Sequence, residues 1–245
     1  MISVEEALRI IKNNIPPPVA QPLPLVEAVG RYLAEDILAP EQSPRYTNSA
    51  MDGYGVRWED VAAASPEAPV RLAIVGESQA GTAFAGTVGR GEAIRISTGA
   101  MLAEGCDTVV RVEDTEERGD TVAIRAVKKQ GQDVRRQGEE FRTGDLLLQK
   151  GSRIAAPQAA LLAAVGITAI RVYKRCTVAL LVTGSELAAV GEQIAAHQIR
   201  DSNMIMLQAA VQETGGIVAK GIRVPDDAQA TREAIAGTEA DIILC

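Results

Sequence analysis

The chain has 245 residues, 47% of them hydrophobic and 3% aromatic, with a formal net charge of −7. That length and apolar content suffice for one large domain or two ordinary ones, with cores built mainly from Ala, Val, Leu and Ile. The acidic balance and the scarcity of aromatic rings argue against a nucleic-acid partner, which calls for a basic excess and stacking platforms.

The first six residues, Met1-Ile2-Ser3-Val4-Glu5-Glu6, have neither the basic region nor the following apolar core of a secretory signal. Ser3 and Glu6 instead form a capping-box pattern, with Val4, Leu8 and Ile11 on one helical face and Asn13, Asn14 and Pro16 as the stop. The run from Pro16-Pro17-Pro18 to Pro24 reads as a stiff extended linker, so residues 1–22 are expected to be a helix and linker packing on another domain. Ala39-Pro40-Glu41-Gln42-Ser43-Pro44 is a loop entering a new substructure. There the string Tyr46 to Arg57 exposes an Asn-Ser pair and places Asp52 directly before Gly53, so that Asp52 can face a ligand or simply make a turn.

From Val70 to Ile124 short β-type runs are separated by glycine and charge, and Gly76 to Gly91 holds five glycines. This predicts a small antiparallel β domain over residues 41–134. It is inserted between two halves, 23–40 and 135–173, of a mixed α+β domain with a short strand at Leu146-Leu147-Leu148 and a helix from Pro157 to Gly166. The most apolar long stretch, 155–170, is interrupted by Pro157, Gln158 and Gly166 and does not make a membrane span.

After Tyr173 the pattern becomes strand, helix, strand, helix, strand, which predicts a parallel α/β domain over residues 174–245. It begins with the continuous apolar run Val178 to Val182. Met204, Leu207 and Val211 form one helix face, and Gly215-Gly216 a stop. No helix follows Ile242-Ile243-Leu244-Cys245, so this sheet is expected to be incomplete. Cys106, Cys176 and Cys245 are few and far apart, which suits a reducing, cytoplasmic setting better than a disulfide framework. With His197 as the single histidine, any metal must be held by oxygen.

Several turns have the composition of ligand sites. Thr183-Gly184-Ser185-Glu186 follows a parallel strand, where open α/β sheets bind ligands: glycine admits a ligand to the backbone, the hydroxyls can donate to phosphate, and Glu186 can hold a cation. Asp201-Ser202-Asn203 reads as a helix N-cap that also places donors and an acid at a helix N-terminus. Pro225-Asp226-Asp227 is either a cap or a metal site. Ser97-Thr98-Gly99-Ala100 ends a strand in a hydroxyl-glycine turn, and Asp107 and Glu113 read as solvated turn and strand acids. Arg135 and Arg136 could grip phosphate, or pair with Glu139 and Glu140 at the surface.

The string Asn-Ser-Ala-Met-Asp-Gly-Tyr closely resembles the signature of the MoeA family of molybdopterin molybdenumtransferases, whose animal and plant relatives are gephyrin-type E domains. The other turns follow in the family's order: Ser-Thr-Gly-Ala, Val-Val-Arg-Val-Glu-Asp, Arg-Arg-Gln-Gly-Glu, Thr-Gly-Ser-Glu-Leu, Asp-Ser-Asn and Pro-Asp-Asp. The resemblance implies binding of adenylylated molybdopterin, Mg²⁺-dependent loss of AMP, and insertion of molybdate into the dithiolene. It implies catalytic roles for Asp52, Thr98, Glu186 and Asp226, and ligand contacts at Thr183, Gly184, Ser185, Asp201 and Asn203. Glu186, Asp226 and Glu140 become the candidate metal acids, with Glu140 standing where the family typically has Asp. A homodimer is implied, with the molybdopterin adenylyltransferase and molybdoenzymes as further partners, and neither nucleic acid nor membrane.

Family members continue past the Asp-Ile-Ile-Leu strand with a further acid-bearing turn and a C-terminal β domain, so this chain is expected to be poor at insertion. The alternative is a non-catalytic dimerising or scaffolding module of the same family. A generic sugar-phosphate or nucleotide binder is a third reading, resting on fold analogy.

Overall fold

In the computed structural model, which describes residues 2–245, the Ser3 hydroxyl accepts the Glu6 N–H at 3.1 Å and caps the helix Val4–Asn14. No residue of that helix is buried, and Val4, Leu8 and Ile11 are 72%, 50% and 57% exposed. The proline-rich stretch after it is only partly a linker. Ala20–Pro24 is a strand, antiparallel to Ala169–Tyr173 in a two-stranded sheet. Pro22 and Pro24 are tolerated because they are two residues apart and so share one side of an edge strand, the side with no ladder to donate to.

The chain divides into two compact units, residues 38–147 and the residues up to 37 together with 148–245. The second unit contains the helix Ala156–Ala164, with Pro157 in its first turn and Gly166, at φ 77°, just past its end. It also contains a three-stranded parallel sheet in the order Ile217–Val224, Thr177–Thr183, Ile242–Leu244. The central strand buries Val178, Ala179, Leu180, Leu181 and Val182 in succession, the pattern of a strand covered on both faces. Met204, Leu207 and Val211 of the helix Ser202–Glu213 pack against Val178, Leu180 and Val218, as their spacing predicts. Among the described residues no helix is long and apolar enough to cross a membrane.

Residues 38–147 form a six-stranded sheet in the order Thr108–Arg111, Gly53–Val56, Glu92–Ile96, Val70–Ser78, Thr121–Ile124, Thr115–Arg118. Its core is Tyr54, Val56, Val61, Leu72, Ala93, Val110, Val122 and Ile124. The sheet is mixed rather than antiparallel throughout, because Val70–Ser78 and Glu92–Ile96 run parallel. The glycine-rich segment 79–91 is long enough for the crossover that a parallel pair requires, where a hairpin would need only a few residues. The strand Thr108–Arg111 is followed by Val112–Asp114, a single 3₁₀ turn.

Gly53 and Tyr54 of the signature string open the strand Gly53–Val56, flanked by Thr108–Arg111 and Glu92–Ile96. A Cβ at Gly53 would lie 2.0 Å from the Val110 carbonyl oxygen. Backbone on both sides cannot yield that much without breaking the pairing. Gly53→Ala is therefore expected to destabilise the protein by about 2 kcal/mol or more, read as a lower urea midpoint with the far-UV circular dichroism of any folded fraction retained.

Candidate functional site

The turn Asn48–Asp52 is held almost entirely by backbone bonds. Ser49 donates its N–H to Ala100 and accepts from Gly99, Ala50 donates to Asp133 at 2.8 Å, and the Asp52 carbonyl accepts from Val112 at 3.2 Å. The Ser49 hydroxyl donates to the Met51 carbonyl and so spans the turn's tip. What emerges is the Asp52 side chain, exposed, with Oδ1 accepting the Thr98 N–H at 2.7 Å and the Thr98 hydroxyl at 2.9 Å. Two of the residues singled out from sequence are thus in direct contact. The Thr98 N–H, and then its hydroxyl, hold the Asp52 carboxyl below its ordinary pKa, because both donate to the charged form.

Arg135 and Arg136 follow the bridge that pairs Arg135 with Asn48. The surface ion pairs weighed for them do not form: Glu139 accepts the Arg136 backbone N–H at 2.7 Å, and Glu140 accepts the Ser43 hydroxyl at 2.6 Å. Glu140 is thereby tied to the loop at Ser43. Asp107 is a structural acid, accepting the Trp58 N–H at 2.7 Å and the Gln130 amide at 2.6 Å. Burial pushes the Cys106 thiol up to about 12, which makes it an inert core group.

In the other unit, register places the second cluster. Thr183 pairs with Val224 at the carboxyl ends of parallel strands, so the loops after them are neighbours. Ser185 donates its N–H to Asp226 Oδ2 at 3.4 Å, and Asp226 donates its N–H to the Ser185 hydroxyl at 3.3 Å. Gly184 has φ 150°, and a Cβ there would lie 2.8 Å from the Leu187 side chain, so glycine is required for the turn. Thr183, Glu186 and Asp226 are exposed beside it. Asp201 caps the helix Ser202–Glu213 by accepting the Met204 N–H at 2.9 Å. Its Oδ2 is buried without a hydrogen-bond partner among the described residues, and Asn203 is exposed in the first turn. No group of three or more His, Cys, Asp or Glu able to hold a metal occurs among the described residues.

Residues 2–166 match the family described as MoeA N-terminal region (domain I and II). The chain belongs to the MoeA family. Residues 179–245 of this MoeA chain match a probable molybdopterin binding domain. It is 39% identical over 215 residues to a molybdopterin molybdenumtransferase of Staphylococcus epidermidis, covering 87% of this chain and 51% of the relative. It is 38% identical over 227 residues to molybdopterin molybdenumtransferase 2 of Mycobacterium tuberculosis, covering 93% and 56%. A crystal structure of the molybdopterin biosynthesis MoeA protein of Pyrococcus horikoshii superposes with a TM-score of 0.90 at 31% identity, covering 99% of this chain and 65% of that one. The chain spans about half the length of the curated relatives it matches.

Sequence reasoning missed the pairing of Arg111 with Asp133 and the link between Ser185 and Asp226. The first had only a faint signal, an aspartate after Gly131-Gln132 in a turn; the second joins residues 41 positions apart and needs the strand register. The Asp52 contact carries a testable consequence. A depressed carboxyl adds stability that is complete above its unfolded pKa, about 4, and is lost as pH falls through the folded value. Thr98→Val keeps the N–H but removes the hydroxyl, so the Asp52 carboxyl is expected to titrate closer to its ordinary 3.8 in carbon-detected NMR. An unchanged Asp52 titration would remove the hydroxyl from this account.

Proposed function

We propose that this MoeA chain acts in molybdenum cofactor biosynthesis, binding adenylylated molybdopterin and supporting insertion of molybdate with Mg²⁺-dependent loss of AMP. The observation that carries the reading is the Ser185–Asp226 link at the carboxyl ends of adjacent parallel strands, within the segment that matches a molybdopterin-binding domain. Thr183 and Ser185 supply hydroxyl donors there, and Gly184 leaves the backbone open to phosphate. Asn203 adds a donor at a helix N-terminus, and Asp201 fixes that terminus by capping it. The two exposed acids Glu186 and Asp226 fit a Mg²⁺ ion, which commonly takes one or two carboxylates and fills its remaining positions with water and phosphate oxygens. Bound there, the ion would neutralise the charge that develops on a breaking phosphoanhydride. Glu140, tied to Ser43, is the weaker candidate for a metal ligand.

In residues 38–147, Asp52 is oriented by Thr98, and its second oxygen is available to a substrate donor. Arg135 and Arg136, whose guanidinium groups form no ion pair with Glu139, bonded to the Arg136 N–H, or with Glu140, bonded to Ser43, suit a small oxyanion such as molybdate. In this reading the work belongs to the cytoplasm, between an adenylyltransferase that makes the substrate and molybdoenzymes that take the product.

A homodimer accompanies this reading. The helix Val4–Asn14 presents an apolar face with none of its residues buried, a surface that a second copy would cover. The same face favours the second reading, a dimerising module without catalysis. Sedimentation at tens of micromolar, roughly the regime in which homodimers of ordinary affinity are assembled, is expected to show a dimer in either case. A monomer at that concentration would remove the dimer from both.

Titration of the purified chain with adenylylated molybdopterin separates the readings. Saturable binding that tightens with Mg²⁺, followed by AMP release on adding molybdate, is expected for the first; absence of binding at millimolar ligand would overturn it. Asp52→Asn should abolish the release step while changing folding stability by less than about 1 kcal/mol. Parallel loss of folding and release would return Asp52 to a turn residue.

A further inference from the structure

Asp133 is the one non-glycine residue among those described whose backbone lies in the left-handed region, at φ 53°. Aspartate is tolerated there better than most side chains, but glycine would adopt the same backbone without cost. The strained residue sits in a closed ring of contacts around the segment Asn48–Gly53. On one side the Asp133 carbonyl accepts the Ala50 N–H, and the next two residues, Val134 and Arg135, pair with Ser49 and Asn48. On the other side Arg111 is the register partner of Gly53, and Val112 donates its N–H to the Asp52 carbonyl.

Side chains close the ring. Nε and Nη2 of Arg111 donate to Oδ2 and Oδ1 of Asp133 at 2.7 and 2.9 Å, a bidentate fork. The Asp133 side chain is 12% exposed and that of Arg111 45%, so the acid end is largely withdrawn from water. Such a fork fixes direction as well as distance, which a flexible surface pair does not. If a turn were all that was needed, glycine at 133 would serve better; the carboxylate is what the strained backbone aims at Arg111.

We propose that Arg111 and Asp133 are a positioning pair for Asp52: they clamp the two backbone segments between which the Asn48–Asp52 turn is strung, and so set the reach of the Asp52 carboxylate. Neither residue touches the reacting atoms. The significance for catalysis rests on the role of Asp52 proposed above, whereas the contact between Asp52 and Thr98 that the pair controls is independent of it. So held, the turn keeps Asp52 Oδ1 within hydrogen-bond distance of both Thr98 donors.

The test compares Asp133→Gly, which removes the carboxylate and relieves the backbone, with Arg111→Met and Arg111→Lys. Two readouts report on Asp52 directly: hydrogen exchange of the Thr98 amide, and the NMR titration of the Asp52 carboxyl. In Asp133→Gly and Arg111→Met the Thr98 amide is expected to exchange about tenfold faster, with Asp52 titrating closer to its ordinary value, while the Val122 and Ile124 amides in the core keep their protection. Arg111→Lys, with one point charge in place of a fork, is expected to restore part of the effect. Wild-type exchange and titration in folded Asp133→Gly would overturn the proposal, as would an equal loss of protection at Val122 and Ile124, which marks general loosening. Failure of the wild-type chain to bind adenylylated molybdopterin would instead overturn the proposed function, and these two readouts would still decide the pair.

Discussion

The approach of Gly53 to the Val110 carbonyl governs where the candidate residues of the β unit stand. With only a hydrogen on Gly53, the strands Gly53–Val56 and Thr108–Arg111 close up at that point, and the carbonyl of Asp52 is captured by Val112. The neighbouring strand on the other side pairs Gly53 with Ile96 in antiparallel register. One step before Gly53 therefore lies against one step after Ile96, and Thr98 comes within reach of the Asp52 side chain. A carboxylate and a hydroxyl separated by 46 positions meet because a glycine lets three strands share one level.

The α/β unit uses register differently. Parallel strands bring their carboxyl ends to the same edge, so Thr183 opposite Val224 makes neighbours of two loops that have nothing in common in sequence. Ser185 and Asp226 then exchange bonds in both directions, each backbone N–H answered by the other's side chain. The distances of 3.4 and 3.3 Å are long for such bonds, so they join the two loops only weakly. Gly184, whose backbone angle and close neighbour Leu187 both exclude a side chain, keeps that edge free of a Cβ.

Local chemistry was readable from the sequence and long-range pairing was not. Ser3 and Asp201 cap their helices, Pro157 stands in a first turn, and Met204, Leu207 and Val211 face the sheet, because each depends only on residues a few positions away. The direction of Glu92–Ile96 relative to Val70–Ser78 depends on where the segment between them travels, and alternation of apolar residues carries no direction. Pro22 and Pro24 read as linker because a proline-containing strand is recognisable only once its bare side is known. The same holds for the site. The string around Asp52 marked the residue as able to face a ligand, whereas its dependence on Thr98, and the bond of Ser185 with Asp226, required pairings that composition does not encode.

Charge is distributed between the units in a way that bears on their chemistry. In residues 38–147 four acids near the signature turn are committed: Asp52 to Thr98, Asp133 to Arg111, Glu139 to the Arg136 N–H and Glu140 to Ser43. Arg135 and Arg136 form no ion pair among the described residues, and Arg135 stands next to that turn through its pairing with Asn48. In the other unit Glu186 and Asp226 stand exposed beside Thr183, Ser185 and Gly184. Under the proposed function, guanidinium groups would serve an oxyanion such as molybdate, and exposed carboxylates a cation beside a phosphoanhydride.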